Sequence, residues 1–392
     1  MIFRGDDMRI IWIVIDSVGV GALPDADKYG DVGADTLGHI ALKSESFKID
    51  NLRKMGIGNI PGVNEKIGKV ENPIGLYGKS KEISSGKDSV TGHFEMIGIN
   101  TIVPFKTYLN GFPKDLMEEF LRRTGLKGYL GNKVASGTEI IKELGEEHEK
   151  TGFPIIYTSS DSVFQIAASE ETFGLDNLYR VCEIARELLK GENQVARVIA
   201  RPFIKENGII KRTSNRHDYA IKPDKDNLLK YLKDDGIMVY AIGKINDLFS
   251  GCGITRAVHT DNNMDGVDKT LKAMDEVDQG LIFTNLVEFD STWGHRRDVS
   301  GYRQGLEDFD RRLNEIMDKL KEDDVLIINA DHGCDPAFKG TDHTREYIPI
   351  LFFGKNIEPG CIGVRDTFAD IGATVGKLLN CSRCLKIGTS LL

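Results

Sequence analysis

Three apolar runs with the composition of buried β-strands each lead to acidic or histidine side chains. The runs and the side chains that follow them are residues 10–15 with Asp16, residues 281–289 with Asp290, and residues 325–328 with Asp331 and His332. Parallel strands all end at the same edge of their sheet, and open α/β folds bind ligands at that edge. The sequence therefore predicts an α/β fold with these polar groups gathered at the carboxyl edge of a parallel sheet.

Two further histidines extend this group. His295 lies close after Asp290, and His343 lies close after Asp331 and His332, so three of the eight histidines of the chain belong to the set. Carboxylates and imidazoles without thiolates suit Mn-, Zn- or Mg-like ions, and two such ions about 3.5–4 Å apart can hold a phosphoryl group. Any one of these residues alone could simply cap a helix or turn. Together they predict a two-metal centre.

Length and composition limit the classes of protein to consider. A chain of 392 residues exceeds a single ordinary core, so two domains are expected. A net charge of −9 disfavours general binding to nucleic acid or anionic membranes. The sequence contains no apolar run of membrane-spanning length, and its start is acidic where a secretory signal would be basic. We expect a cytoplasmic protein without an obligate protein partner.

The six cysteines are too few and too scattered for a disulfide scaffold, and they fit reduced thiols. Cys381 and Cys384 form a single CxxC pattern. Because no second pair accompanies it, zinc binding and redox activity have little support over ordinary thiols, and we assign it no function.

The middle of the chain differs from its two ends. Near both ends, strand-like runs alternate with amphipathic helices, which is typical of a doubly wound sheet. The middle has its own signals, which are helices at 114–123 and 176–190 and strands at 155–157 and 195–200. We expect a core of residues 1–104 and 222–392 with a cap domain inserted at 105–221. The alternative is one large sheet with long excursions.

A segment rich in hydroxyl groups, residues 84–95, leads into a helical pattern. A hydroxyl directed between two cations would be a nucleophile activated by coordination. A serine or threonine in this position is also common as a helix cap, so the segment alone leaves both roles open.

In combination and in this order, these motifs resemble the alkaline phosphatase superfamily of metalloenzymes. Within that superfamily the phosphopentomutase family is the most similar, and the motifs that carry this likeness are residues 16–21, 86–88, 215–219 and 289–298. The likeness extends over nearly the whole chain, including the cap. It implies an alkaline phosphatase-like doubly wound sheet core with an inserted α+β cap domain.

The resemblance also implies a reaction, the interconversion of ribose 1-phosphate or its 2-deoxy counterpart with the 5-phosphate. Two Mn²⁺ ions would be required, one held by Asp290, His295 and His343, the other by Asp16, Asp331 and His332. The cycle of the family would run through a phosphoserine enzyme and a pentose 1,5-bisphosphate. Glucose 1,6-bisphosphate or a similar sugar bisphosphate would be the activator, and pentose phosphates would be the small-molecule partners.

The position of the nucleophile departs from the family pattern. Phosphopentomutases generally carry threonine directly after Gly-Lys-Asp, and here that position is Ser89. The related cofactor-independent phosphoglycerate mutases use a serine four residues before a histidine, which is the spacing from Ser89 to His93. The resemblance therefore implies Ser89 as the nucleophile and Thr91 as the second candidate, with no metal assigned to His93.

Substrate binding is expected to involve the cap. Asp161 resembles the residue that contacts the ribose in the family, and Arg197, Arg201 and Lys244 are candidates for binding phosphate. Each cation could instead belong to a surface ion pair. Closure of the cap would exclude water from the phosphoryl group. The alternative functions are a metal-dependent phosphatase or phosphoglycerate mutase of the same superfamily, and a non-catalytic metal-binding or oligomeric scaffold.

Overall fold

A computed structural model describes residues 8–159, 162–206 and 208–392 of the chain. The described chain folds into two compact units, with boundaries between Val103 and Pro104 and between Lys222 and Pro223. The larger unit contains both ends of the described chain, and the smaller unit is the segment between them. Within the described residues, no helix has the length and apolar character needed to cross a membrane.

The elements are numbered in chain order. The strands are β1 (Arg9–Ile15), β2 (Leu76–Ser80), β3 (Leu130–Val134), β4 (Ile155–Thr158), β5 (Val163–Ser169), β6 (Arg197–Glu206), β7 (Ile209–Arg212), β8 (His217–Ala220), β9 (Val239–Ile242), β10 (Arg256–Val258), β11 (Gly280–Leu286), β12 (Val325–Asn329), β13 (Ile348–Phe353) and β14 (Gly360–Arg365). The α-helices are α1 (Thr36–Leu42), α2 (Asp50–Met55), α3 (Ser89–Met96), α4 (Lys114–Thr124), α5 (Gly137–Thr151), α6 (Leu175–Leu188), α7 (Leu228–Asp234), α8 (Ile245–Leu248), α9 (Asn263–Glu276), α10 (Val299–Asp318) and α11 (Ala369–Leu378).

An eight-stranded sheet in the order β10-β9-β11-β1-β12-β13-β2-β14 forms the centre of the larger unit. Neighbouring strands are parallel except at β13, which runs antiparallel to both β12 and β2. Strand β1 lies between β11 and β12, and all three are buried along their whole length. Such apolar runs are expected of parallel strands that are covered on both faces.

The alternation of side chains along β11 shows that helices cover both faces. The ring of Phe283 lies 6.3 Å from that of His93 in α3. The next residue, Thr284, points to the opposite face, where its hydroxyl lies 2.8 Å from that of Thr270 in α9. Helices α3 and α9 therefore lie on opposite faces of the sheet, which confirms the predicted doubly wound α/β architecture.

Strand β11 ends at Leu286, earlier than the sequence predicted, and Phe289–Gly294 forms a π-helical turn. A reciprocal pair of hydrogen bonds explains the early end. The Asn263 amide donates to the Glu288 carboxylate at 2.7 Å, and the Glu288 amide donates to the Asn263 side chain at 3.0 Å. These bonds draw the chain away from the sheet towards the start of α9, so Asp290 lies in the turn rather than at the strand end.

The smaller unit has a separate mixed sheet in the order β3-β4-β5-β6-β7, with β8 also paired to β6. Helices α4 and α6 cover one apolar cluster, in which the Phe120 and Phe164 rings lie 5.4 Å apart, and α5 packs on a second cluster. The helices predicted at 114–123 and 176–190 are α4 and α6. The strand predicted at 195–200 begins slightly later and is longer, extending from Arg197 to Glu206 as β6.

Candidate metal centre

The turns that follow β1 and β12 bring the first group of candidate ligands together. Parallel pairing sets Val14 of β1 against Asn329 of β12, so Asp16 and Asp331 leave the sheet side by side. The Ser17 amide donates to Asp331 Oδ1 at 2.9 Å, and Ser17 adopts a left-handed φ of 67° to do so. Nε2 of His332 lies 3.4 Å from Asp16 Oδ1 and 3.3 Å from Asp331 Oδ2. All three ligand atoms are close enough for one ion.

Asp290 is the centre of a second group. Its Oδ1 lies 3.3 Å from Nε2 of His343, and its Oδ2 lies 3.4 Å from Nε2 of His295. The Nδ1–H of His295 donates to the Thr341 carbonyl at 2.7 Å, which orients the ring with Nε2 towards Asp290. The structure therefore places all six candidate ligands in one cluster, but it groups them differently from the prediction around Asp290. The ligand atom of His343 lies with those of Asp290 and His332, and that of His295 lies with those of Asp290 and Cys334.

The structure adds Cys334, which the sequence analysis missed. Its sulfur is buried, and it lies close enough to the ligand atoms of Asp290 and His295 for all three to hold one ion. Burial raises the pKa of the Cys334 thiol well above its usual range, and the charge of Asp290 raises it further. A soft sulfur donor suits Mn- or Mg-like ions less well than carboxylate and imidazole donors do. The only signal for it in the sequence was its position two residues after His332.

The buried carboxylates fit divalent cations. One oxygen of each, Asp16 Oδ1, Asp290 Oδ1 and Asp331 Oδ2, is buried and makes no hydrogen bond within the described residues, although imidazole nitrogens lie 3.3–3.4 Å away. Buried polar atoms are nearly always satisfied, and uncompensated buried charge is costly. Cations bound among these oxygens would satisfy them and neutralise their charge.

Electrostatics within the cluster favour the ionised form of Asp290 and Asp331. Burial raises the pKa of Asp290, but the charges of His343 and His295 outweigh it, and the net pKa lies well below its usual range. The pKa of Asp331 is also lowered, because His332 and His93 outweigh the effect of burial. Ionised carboxylates are the form that binds a cation.

Ser89 is the first residue of α3, and Asp88 caps that helix by accepting from the Val90 and Thr91 amides at 3.0 and 3.2 Å. Oγ of Ser89 lies 3.2 Å from Nε2 of His332 and accepts a hydrogen bond from Lys244 Nζ at 3.0 Å. The hydroxyl is thus beside the first group of ligands.

Thr91, the second candidate nucleophile, is directed elsewhere. Its hydroxyl donates to Asp88 Oδ2 at 2.6 Å, and the residue is fully buried. Thr91 therefore contributes to the start of α3, whereas Ser89 faces the candidate ligands.

His93 and Asn285 make contacts with Ser89 and with the carboxylates of the first group of candidate ligands. The Nδ1–H of His93 donates to the Ser89 carbonyl at 2.8 Å. The same Nδ1 atom lies 3.3 Å from Asp331 Oδ2. The Asn285 amide donates to Asp16 Oδ2 at 3.0 Å. The four-residue spacing from Ser89 to His93 was visible in the sequence, but Asn285 was hidden within an apolar run.

The remaining candidates belong to different units. Lys244 follows β9 in the larger unit, and its Nζ lies 3.6 Å from Asp16 Oδ2. Arg197 and Arg201 are in the smaller unit, where with Arg216 they line a cavity of about 280 Å³. Asp161 lies outside the described residues.

Three arginines line the cavity of the smaller unit. Asp218 pairs with Arg197 at 3.4 Å and with Arg216 at 2.7 Å, while Arg201 donates to the Gln165 side chain at 3.1 Å. Burial lowers the pKa of Arg201, and the neighbouring charge of Arg216 lowers it further. Guanidinium groups that line one cavity can hold an anionic ligand through several charge-assisted hydrogen bonds.

Comparison with known proteins places these features in a family. The sequence pattern of the Metalloenzyme superfamily matches residues 8–383. Phosphopentomutase from Clostridium novyi is 58% identical over 95% of this chain and 95% of its own, and phosphopentomutase from Clostridioides difficile is 57% identical over 95% and 96%. Phosphoglycerate mutase from Leishmania mexicana aligns with 97% of each chain at 12% identity, with a TM-score of 0.49, too low for a functional comparison.

Proposed function

The chain belongs to the phosphopentomutase family of the metalloenzyme superfamily, and from this membership we propose its reaction and mechanism. The enzyme interconverts ribose 1-phosphate, or 2-deoxyribose 1-phosphate, with the corresponding 5-phosphate through a phosphoserine at Ser89. The observation that carries the mechanism is the position of Ser89 Oγ, 3.2 Å from His332 and 3.0 Å from Lys244.

The ligand sets proposed for the metals are those of the two groups. Asp16, Asp331 and His332 would hold one Mn²⁺, and Asp290, His295 and His343 would hold the other. Cys334 is left out of the proposed set because its sulfur is a soft donor. Carboxylate and imidazole donors suit this ion. When bound, the two ions neutralise negative charge on the phosphoryl group during transfer.

Lys244 has two proposed tasks. Its ammonium group donates to Ser89 Oγ at 3.0 Å, which orients the oxygen and favours its anionic form. Once Ser89 carries a phosphoryl group, the same ammonium can bind a phosphate oxygen. Lys244 therefore acts on the group that is transferred.

The proposed cycle conserves phosphate. A sugar bisphosphate such as glucose 1,6-bisphosphate first transfers one phosphoryl group to Ser89 and leaves as the sugar monophosphate, which takes up the proton of the serine hydroxyl. The phosphoryl group then passes to the free hydroxyl of the pentose phosphate, which restores the serine hydroxyl and forms a 1,5-bisphosphate. The other phosphoryl group of this bisphosphate returns to Ser89, and the isomerised pentose phosphate is released.

The arginine-lined cavity of the smaller unit supports a second binding function. Arg197 and Arg201 would bind the phosphate of the substrate that is not being transferred, since paired guanidinium groups hold phosphate through several charge-assisted hydrogen bonds. Asp161 would contact the sugar. The proposed location is the cytoplasm, in keeping with six free thiols.

The test uses Mn²⁺-loaded protein with ribose 1-phosphate and a trace of glucose 1,6-bisphosphate. We expect the 5-phosphate to accumulate with little free phosphate, and omission of the bisphosphate to slow the start of the reaction. Release of free phosphate as the main product would instead identify a phosphatase of the same superfamily.

A further inference from the structure

Arg345 lies two residues after His343, and its guanidinium group contacts the segment that carries Ser89. The side chain is 3% exposed. Nη1 donates to Glu82 Oε2 and to the Gly86 carbonyl, both at 2.6 Å, and Nη2 donates to the Glu82 carbonyl at 3.0 Å. These three bonds hold the segment 82–88 at Glu82, its first residue, and at Gly86, near its end.

Residues 82–88 have no helical or strand structure of their own and lead directly to Ser89 at the start of α3. The position of the serine backbone therefore depends on side chains that hold this segment. Besides Arg345, the Tyr29 hydroxyl donates to the Ser85 carbonyl at 2.9 Å, and Lys87 pairs with Asp31 at 3.0 Å.

The backbone next to and at Arg345 is hydrogen-bonded to the turn that carries Asp331 and His332, and to Asp31. The neighbouring residue, Thr344, exchanges hydrogen bonds with Gly333 at 3.2 and 2.8 Å, directly beside His332. The Arg345 amide also donates to Asp31 at 2.9 Å. Two adjacent residues, Thr344 and Arg345, thus connect the turn that carries two candidate ligands to the segment that carries the candidate nucleophile.

We propose that Arg345 is a positioning residue that sets the distance between the Ser89 hydroxyl and the candidate metal ligands. The inference rests on the proposed role of Ser89 as nucleophile. A lysine cannot reproduce these contacts, because one ammonium nitrogen cannot occupy both the Nη1 position, which binds Glu82 Oε2 and the Gly86 carbonyl, and the Nη2 position, which binds the Glu82 carbonyl.

Arg345→Lys tests the proposal, with Arg9→Lys as the matched control. Arg9 is another fully buried arginine, paired with Asp324, but it lies at the opposite end of β1 from Asp16. We expect Arg345→Lys to retain its Mn²⁺. Its kcat should fall about 100-fold, because a small misplacement of reacting groups slows the reaction by about that factor. Its KM should change less than about threefold. Arg9→Lys should lower the melting temperature and leave kcat unchanged.

Hydrogen exchange followed by mass spectrometry gives a readout that is independent of activity. Amides of residues 82–88 should exchange about 10-fold faster in Arg345→Lys, while those of β12 should not change. Unchanged exchange in 82–88, with phosphate still found on Ser89, would refute the positioning role and leave the proposed function intact. Faster exchange with phosphate on another residue would instead contradict the proposed function.

Tyr29→Phe provides a milder variant of the same kind, because it removes only the hydrogen bond to the Ser85 carbonyl. We expect a smaller decrease in kcat and a smaller rise in exchange, with the fold retained. If Arg345→Lys does not fold, this variant decides the question: faster exchange of residues 82–88 together with wild-type kcat in Tyr29→Phe would show that this segment does not position Ser89, and would overturn the proposal. An equal loss of kcat in Arg9→Lys would also overturn it.

Discussion

Lys244 Nζ donates a hydrogen bond to Ser89 Oγ at 3.0 Å and lies 3.6 Å from Asp16 Oδ2. The ammonium group thus joins the proposed nucleophile to a candidate metal ligand. Because Lys244 follows β9 and Ser89 begins α3, their contact depends on the packing of α3 against the carboxyl end of the sheet.

Lys244→Met should remove this contact and preserve most of the aliphatic packing. We expect kcat to fall about 100- to 1,000-fold, the usual loss when one donor to a reacting oxygen is removed. Metal content, measured by inductively coupled plasma mass spectrometry, should remain at two ions per chain. A variant with wild-type kcat would show that Lys244 has no part in the reaction.

Asp331→Asn should remove one of the two ions. The buried Oδ2 of Asp331 makes no hydrogen bond within the described residues, so its charge contributes more to binding a cation than to internal contacts. We expect the bound metal to fall from two ions to about one and activity to be lost. Chelation should lower the melting temperature of this variant less than that of the wild type, because bound ligand stabilises the folded state.

Both ions retained in Asp331→Asn, with normal turnover, would contradict the proposed ligand set. The matched control is Asp335→Asn, a buried neighbour whose carboxylate already accepts from the Asp35 amide at 3.0 Å. That change should affect stability and leave the metal content unaltered.

Thr91→Val separates the two candidate nucleophiles. It removes the bond of 2.6 Å from the Thr91 hydroxyl to Asp88. We expect a loss of about 1 kcal/mol in the free energy of unfolding, typical of one hydrogen bond, with kcat within about threefold of wild type. Denaturant titration and steady-state kinetics would measure the two quantities. Loss of activity without loss of stability would indicate that Thr91, and not Ser89, is the nucleophile.

The sequence predicted the sheet, and it predicted that the candidate ligands lie near one another, because parallel strands deliver their following residues to one edge, as Asp16 and Asp331 illustrate. It did not predict the π-helical turn at Asp290, since the bonds between Asn263 and Glu288 join residues far apart in sequence. For the same reason it missed Cys334 and Arg345. Their neighbours come from distant segments, and nothing in the local sequence pattern specifies those contacts.

His148 predicts how the stability of the smaller unit depends on pH. Its Nδ1–H donates to the Phe153 carbonyl at 2.7 Å and its Nε2 accepts from the Ser169 amide at 2.9 Å, so the ring is held neutral. Burial lowers the pKa of His148 below its ordinary value of 6.5, although the Phe153 bond opposes this. A lowered folded-state pKa means that this stabilisation is present above pH 6.5 and is lost as the pH falls below it.

Thermal unfolding of wild type and His148→Gln at pH 7.5 and about pH 5.5 would measure this effect. We expect the variant to be less stable at the higher pH and to lose less stability on acidification. An identical pH dependence in both proteins would show that His148 does not contribute.

The most direct test of the account is to locate the phosphate on the enzyme. Protein loaded with Mn²⁺ is treated with glucose 1,6-bisphosphate, digested and analysed by mass spectrometry, with Ser89→Ala and Ser89→Thr in parallel. We predict one phosphate on Ser89 in the wild type, none in Ser89→Ala, and some on the new hydroxyl in Ser89→Thr together with partial mutase activity. Phosphate on Thr91, or full mutase activity in Ser89→Ala, would contradict the account.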